Sequence, residues 1–302
     1  MVVVRIPLAQ VKQAWKSTEN KRGYFFGFNL KTLRPDESSL KDWFLQANVH
    51  SVISRTGLKV AAYITAAYLY MTREADSGQG RILGTQEIHW AGPGSHTGAT
   101  HAVSTLEDFP AIEATLINHS EVIGEHGRTL EQAAAQLRMA LDSTVEGKTF
   151  KFITLCVGED RATYDKGTVA SVRYVKNQVR QMLILAGVTA EEMSRIGIAY
   201  EPRFAIQVGD TPGVPPTDAH ISHMGWSILH AVAQVVGLEG MARMFALQYG
   251  GSMKGPEDAK APVQHFVGSE SLEPGLYNGG LIGTAGKEPM TAAEILNRII
   301  PA

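Results

Sequence analysis

The feature of the sequence that most constrains the fold is a series of short apolar runs that alternate with helical stretches. Eight of these runs are rich in β-branched, aromatic or small apolar residues, and each predicts a strand. The predicted strands are Gly23–Asn29, Leu58–Ile64, Ile82–Ile88, Ala114–Asn118, Phe150–Val157, Ile196–Tyr200, Phe245–Tyr249 and Gly280–Gly283. Helical patterns lie between several of them, at Thr129–Leu141, Thr168–Leu185 and Asp218–Val236.

This order of elements predicts an α/β fold. The strands alternate with helices and are apolar runs rather than strictly alternating patterns, which indicates a parallel sheet covered on both faces. Eight strands favour a closed (β/α)8 TIM barrel over an open doubly wound sheet. No Gly-x-Gly-x-x-Gly motif follows the first predicted strand, and no Gly-x-x-x-x-Gly-Lys-Ser/Thr phosphate loop is present. We therefore expect a single barrel domain over residues 1–302, with residues 1–22 as an extension before the first strand.

The composition narrows the functional classes. The chain has 302 residues, of which 44% are hydrophobic, and a formal net charge of −2, so nothing points to a nucleic-acid or membrane partner. The single cysteine, Cys156, forms no intrachain disulfide and is predicted to be a buried strand residue rather than a nucleophile. No apolar run approaches the roughly 20 residues of a membrane helix, and the apolar start is too short for a secretory signal. These features predict a soluble, cytoplasmic protein.

Chemically versatile residues follow several predicted strands. In a β/α barrel the residues just past the strands converge at one end, and catalysis takes place there. Strand one ends in Asn29-Leu30-Lys31, strand four runs into His119, and strand six ends at Glu201 before a proline. Strands seven and eight end in the turns Tyr249–Ser252 and Gly283–Ala285. Backbone N–H groups in such turns can hold a phosphate.

These residue types suit the movement of a carbonyl between adjacent carbon atoms. The reaction needs a base that removes a proton from carbon, an electrophile that polarises the carbonyl, and a positive charge beside the developing enediolate. Glu201, His119 and Lys31 match these three roles in order.

Several segments together resemble the triosephosphate isomerase family, and they occur in that family's order from about Gly23 onward. They are Asn29–Lys31, Gly94–Gly98, His119–Glu121, Leu155–Glu159, Tyr200–Pro202 with Phe204–Ile206, Tyr249–Ser252 and Asn278–Ala285. The resemblance implies a (β/α)8 barrel and an aldose–ketose isomerase of glycolysis and gluconeogenesis. Its reaction would interconvert D-glyceraldehyde 3-phosphate and dihydroxyacetone phosphate without a cofactor or a metal. The resemblance also implies a homodimer that is formed through the loop near Thr97.

The resemblance further implies a role for each matching residue. The predicted catalytic residues are Glu201, His119, Lys31, Asn29 and Glu121, although Asn29 and Glu121 have either a direct or a supporting role. The predicted phosphate-binding residues are Gln207, Ser252, Gly283 and Thr284, which act through their backbone amides.

The chain also departs from the family pattern. Gln207 stands where the family has a glycine in its flexible lid, and Arg203 brings a charge beside the predicted base. Val122 and Ile123 replace a pair of arginines, and Ala99 replaces the acidic residue that those arginines serve. These changes keep two alternatives open: an isomerase of a tetrulose phosphate such as erythrulose phosphate, and a non-catalytic paralogue that binds sugar phosphates.

Two other kinds of chemistry, metal binding and Schiff-base catalysis, have less support in the sequence. His220 and His223 share the spacing of metal ligands on one helix face, but the sequence offers no clear third ligand. An aldolase-type barrel would need a Schiff-base lysine in the sixth strand, and none lies between Ile196 and Glu201.

Overall fold

The structure is a computed structural model. It describes residues 4–18, 23–31, 43–44, 46–47, 49–56, 58–64, 81–85, 106, 111–120, 123, 127–205, 213–251 and 275–299.

Eight strands form a closed, fully parallel barrel. They are β1 (Phe25–Lys31), β2 (Lys59–Ile64), β3 (Arg81–Thr85), β4 (Ile112–Ile117), β5 (Phe152–Val157), β6 (Ile196–Tyr200), β7 (Leu247–Tyr249) and β8 (Gly279–Ile282). Each strand pairs with the next along the chain, and β8 closes the ring by pairing with β1. All eight predicted strands are confirmed, and within the described residues their ends differ from the prediction by at most two residues. Residues 86–88, the end of the third prediction, lie outside the described residues.

The helices lie in the connections between strands and at the two ends of the described chain. They are α1 (Leu8–Lys16), α2 (Val49–Thr56), α3 (Leu130–Asp142), α4 (Arg161–Tyr164), α5 (Thr168–Leu185), α6 (Asp218–Arg243) and α7 (Pro289–Ile299). Short 3-10 turns occupy Glu192–Arg195, Arg203–Ala205 and Thr284–Lys287. The three predicted helices are confirmed as α3, α5 and α6. The last prediction ended at Val236, next to Gly237, where a φ of 78° interrupts α6.

Local signals explain why α3 begins where it does. The Thr129 side chain accepts a hydrogen bond from Gln132 N, and the Gln132 side chain accepts one from Thr129 N. This reciprocal capping box satisfies two of the backbone donors that the first turn of a helix leaves without partners.

The core consists of two layers, because neighbouring strand residues point to opposite sides of the sheet. Leu116 and Cys156 belong to a small buried cluster inside the barrel, whereas their neighbours Ile117 and Leu155 belong to the large cluster that includes the helices. Cys156 is 1% exposed, which confirms its predicted burial.

Three phenylalanines fill the N-terminal end of the barrel interior. The ring centroids of Phe25, Phe152 and Phe245 lie 4.8–5.3 Å apart, within the range of favourable aromatic pairs. Phe25 and Phe152 are the first residues of β1 and β5, and Phe245 precedes β7. Apolar packing therefore closes this end, and the polar strand ends lie at the other.

Helix α1 precedes the barrel and packs against α6. Val4 N donates to Gln234 O at 3.1 Å, and His230 Nε2 lies 2.9 Å from Ile6 O. Trp15 is fully buried, and its indole N–H donates to the carbonyl of Leu276 at 3.0 Å. Both ends of this segment are thus tied to later parts of the chain.

Among the helices of the described ranges, none has the length and apolar character to cross a membrane.

Replacement of Trp15 by alanine tests whether α1 contributes to stability. Because the whole indole is buried, we expect Trp15→Ala to lower the free energy of unfolding by about 3–5 kcal/mol in a urea titration. Exposed Gln13 on the same helix gives the control, and Gln13→Ala should change stability by less than about 0.5 kcal/mol. Equal stability of the two variants would show that α1 does not stabilise the barrel.

The contact of His230 with the segment before α1 makes the stability of the fold depend on pH. Its Nδ1 lies 3.1 Å from Lys176 Nζ, so Nδ1 accepts a hydrogen bond and Nε2–H donates to Ile6 O. Burial, followed by the charge of Lys176, lowers the pKa of His230 below its ordinary 6.5. The unfolded chain therefore binds a proton on this residue more readily than the folded chain does.

We expect the His230 contribution to be fully present above pH 6.5 and to be lost as the pH falls below that value. A difference of one bound proton between the folded and unfolded chains changes the free energy of unfolding by at most about 1.4 kcal/mol per pH unit. Urea titrations between pH 7.5 and 5 should show a smaller loss of stability on acidification for His230→Gln than for the wild type. His223→Gln, an exposed position on the same helix, is the control for the loss of a histidine. Equal pH slopes for the wild type and His230→Gln would contradict the assignment.

Candidate active site

Three predicted site residues converge at the C-terminal end of the barrel. Glu201 directly follows β6, His119 lies two residues past β4, and Asn29 lies near the end of β1. Their exposed fractions are 4%, 6% and 2%, respectively. His119 Nε2 lies 3.3 Å from Glu201 Oε1, although 82 positions in the printed sequence separate the two residues. The expectation that the imidazole and the carboxylate meet is confirmed.

His119 Nε2 lies between two polar neighbours. Asn29 Nδ2 is 3.0 Å from it, and Glu201 Oε1 is 3.3 Å from it. When the proton is on Nε2, the imidazole donates to the carboxylate; when the proton is absent, Nε2 accepts from the amide. The second oxygen of Glu201 accepts from Ser120 N at 3.4 Å. This arrangement lets one imidazole nitrogen give or take a proton within reach of a carboxylate.

Asn118 sets the direction of the chain as it enters His119. Its φ is 64°, in the left-handed region that asparagine tolerates better than most residues. Its Nδ2 donates to Cys156 O at 3.0 Å, which ties the turn to β5. Asn118 was not predicted to have a role in the site, since its place in the sequence marks it only as a strand end. An asparagine directly before a strand-end histidine was the available signal.

The backbone of Glu201 lies unusually close to its neighbours. Glu201 N donates to Val157 O at 2.7 Å, and a β-carbon on Gly158 would lie 1.8 Å from Glu201 O. A β-carbon on Gly250 would lie 2.8 Å from Glu201 Cγ. Only glycine permits these approaches without a shift of the backbone or of the Glu201 side chain. The glycines after β5 and β7 thus give the carboxylate its position.

A second buried carboxylate lies behind Glu201. Glu159 is fully buried, and its Oε1 accepts from Tyr200 OH at 3.1 Å and lies 2.8 Å from His220 Nε2. Burial raises the pKa of Tyr200, and the charge of Glu159 raises it further, so the phenol stays a donor. The Glu159–His220 contact was not predicted, since Glu159 was noted only as part of a motif.

His220 and His223, whose spacing suggested a metal site, have different partners. His220 is 5% exposed and pairs with Glu159, whereas His223 is exposed and its Nδ1 contacts Ala219 O at 2.7 Å. Across the described part of the chain, no group of three or more His, Cys, Asp or Glu side chains is arranged to hold a metal ion.

Arg203, which lies beside the predicted base in the sequence, pairs with Asp160 and Tyr174. Its Nη2 donates to Asp160 Oδ2 and to Tyr174 OH, both at 3.3 Å. Partial burial alone would raise the pKa of Asp160, but the hydrogen bonds from Thr163 and the charge of Arg203 outweigh it and lower that pKa. Asp160 therefore remains a carboxylate that pairs with the guanidinium.

The remaining predicted residues are described only in part. Lys31 is the last residue of β1, but its side chain is not among those that the structure describes. Gly283 follows β8 and is exposed, and a β-carbon there would meet no atom of the described residues within 4 Å; Thr284 begins the 3-10 turn after it. Other predicted or noted positions lie outside the described residues: Thr97, Ala99, Glu121, Val122, Gln207 and Ser252.

Comparison with known proteins agrees with this geometry. A sequence model of the triosephosphate isomerase family matches residues 25–299. Triosephosphate isomerase of Treponema denticola is 31% identical over 219 residues, which cover 72% of this chain and 76% of that protein. The protein of the same name from Carboxydothermus hydrogenoformans is 29% identical over 236 residues, 76% of this chain and 87% of that protein. The counterpart from Paracidovorax citrulli is 29% identical over 250 residues, 80% of this chain and 88% of that protein. The chain belongs to the triosephosphate isomerase family of aldose–ketose isomerases.

Proposed function

We propose that this isomerase acts on triose phosphates and interconverts D-glyceraldehyde 3-phosphate and dihydroxyacetone phosphate. The observation that carries the proposal is the 3.3 Å contact between His119 Nε2 and Glu201 Oε1 at the polar end of the barrel. A substrate would replace this direct contact, with its carbonyl oxygen beside His119 and the adjacent carbon beside Glu201. The names of the relatives support the choice of a triose phosphate over a larger sugar.

In this proposal, Glu201 moves a proton between the two carbons of the substrate. A carboxylate that is 4% exposed is poorly hydrated, so less solvent must be displaced before it takes the proton. His119 donates from Nε2 to the carbonyl oxygen as the enediolate forms, and then takes the proton from the neighbouring oxygen. Asn29 Nδ2 donates to the same Nε2 after that nitrogen has given up its proton, and Lys31 stabilises the enediolate charge. No cofactor or metal is needed for these steps.

The phosphate of the substrate would bind beside the ends of β7 and β8. Gly283 supports this assignment, because it is exposed and a β-carbon there would meet no atom of the described residues within 4 Å. Gln207, Ser252 and Thr284 would add backbone amides, and Glu121 would support His119. Exclusion of water around the bound substrate would limit the loss of phosphate from the enediolate.

A tetrulose phosphate is the second candidate substrate. Gln207 in place of a glycine and the loss of the arginine pair at Val122 and Ile123 favour it, because both are departures from the family pattern in the segments that follow Glu201 and His119 in the sequence. The same changes favour a non-catalytic paralogue that binds sugar phosphates. Presence of Lys31 together with the buried Glu201–His119 pair supports catalysis instead.

Glu201→Gln and His119→Gln test the proposed base and proton donor. Each change keeps the approximate shape of the side chain and removes its acid–base chemistry. We expect kcat for triose phosphate isomerisation to fall by about a hundred- to ten-thousand-fold in either variant. Glu239→Gln, on the exposed end of α6, is the matched control and should retain wild-type kcat.

The wild type should be assayed with triose and tetrulose phosphates side by side. A large preference in kcat/KM for the tetrulose phosphate would overturn the first choice of substrate. Binding of these compounds without turnover would support the non-catalytic alternative. Wild-type kcat in Glu201→Gln would exclude Glu201 as the base.

We further propose that the chain forms a homodimer through the loop near Thr97, as the family resemblance implies. Sedimentation equilibrium should then give a mass near twice the 32.7 kDa of one chain. Replacement of Thr97 by arginine should shift the mass towards that of one chain, since a charge would be buried in the contact. A wild-type mass of one chain at micromolar concentration would contradict the dimer.

A further inference from the structure

The buried cluster behind Glu201 contains a histidine, His220, whose described hydrogen-bond partners include none of the proposed catalytic side chains. His220 lies in the first turn of α6, and its backbone N donates to the side chain of Thr217, the residue that caps this helix. Its Nε2 is 2.8 Å from Glu159 Oε1, and the two side chains are 5% and 0% exposed. The contact thus joins the start of α6 to the end of β5 in a region that excludes water.

Glu159 in turn holds the segment that carries Glu201. The Glu159 side chain accepts from Tyr200 OH at 3.1 Å, and its backbone carbonyl accepts from Arg203 N at 3.0 Å. The residue before Glu201 and the residue two positions after it are therefore both anchored to Glu159. Glu201 itself is anchored to the same strand end through Val157 O. A displacement of Glu159 would be transmitted to the Glu201 backbone.

Glu159 depends on His220 for its own position. Tyr200 and His220 both approach Oε1, whereas Oε2 is buried and has no hydrogen-bond partner within the described part of the chain. A buried carboxylate with few donors loses much of its stabilisation when one donor is removed. It is then expected to rotate towards water or towards another donor.

The surroundings of His220 leave it little freedom to adopt another arrangement. The Tyr164 ring meets it edge to face at a centroid distance of 5.0 Å, and the Phe204 ring lies at 6.4 Å. Phe204 belongs to the 3-10 turn Arg203–Ala205 that follows Glu201. The imidazole is therefore packed on one side by the segment whose position it supports through Glu159.

We propose that His220 is a positioning residue for Glu201. Its hydrogen bond to Glu159 keeps that carboxylate in place, and Glu159 keeps residues 200–203 in the geometry that presents the Glu201 carboxylate to His119. This inference rests on the proposed role of Glu201 as the base. It concerns the alignment of the base rather than the affinity for substrate, because His220 lies behind β6 and none of its described partners is a proposed phosphate-binding residue.

His220→Leu removes the hydrogen bond and keeps an apolar side chain against Tyr164 and Phe204. We expect kcat to fall by about ten- to a hundred-fold, since small displacements of a catalytic group have effects of this size. KM should change by less than about three-fold. His220→Gln, whose amide can donate to Glu159, should recover most of the lost kcat. His223→Leu, an exposed position on the next turn of α6, should leave both constants at their wild-type values.

Tyr200→Phe provides an independent variant in case His220→Leu does not fold. It removes the other donor to Glu159 while it keeps the ring, and it should lower kcat with little effect on KM. A thermal unfolding curve of each variant shows whether it is folded at the assay temperature, and only folded variants are compared.

The outcomes separate this inference from the proposed function. If Glu201→Gln retains wild-type kcat, the proposed base is wrong and the inference fails with it. If Glu201→Gln is inactive but folded His220→Leu, or folded Tyr200→Phe in its place, has wild-type kcat, only the inference is overturned. A raised KM with unchanged kcat, or a His220→Gln variant as slow as His220→Leu, would also overturn it.

Discussion

The close approach between the ends of β5 and β6 is the constraint on which the site depends. Glu201 N reaches Val157 O at 2.7 Å, and the absence of a side chain at Gly158 allows the Glu201 carbonyl to lie against it. Gly250 leaves room for the Glu201 side chain from the direction of β7. The position of the carboxylate is thus set by the backbones of three neighbouring strands, and it does not depend on the rotamer of one side chain alone.

Polar contacts join separate elements, whereas apolar packing supplies most of the stabilisation. Glu159 joins β6 to α6 through Tyr200 and His220, and His230 joins α6 to the segment before α1. Each of these groups is partly or fully buried, and a buried polar group is stable only when it has a partner. The partners therefore determine where the elements meet, while the two apolar clusters hold the strands and helices together.

Much of the barrel was predictable from local patterns, since each strand is a short apolar run and α3 carries its own capping residues. Helix α1 was not predicted. It has nine residues and lies before the first strand, and its buried Trp15 contacts carbonyls about 260 positions later. The Glu159–His220 pair was missed for the same reason, because 61 positions separate the two residues and neither has a local signal for the other.

The sequence by itself determined the order of strands and helices, and with it the set of residues at the strand ends. The physical reason is that hydrophobic periodicity is local, and parallel strands in a closed barrel must bring their C-terminal ends together. Only the tertiary structure decided the 3.3 Å contact of His119 with Glu201, the left-handed turn at Asn118 and the partner of His220. These features arise from contacts between distant parts of the chain, whose distances are fixed only when the barrel has closed.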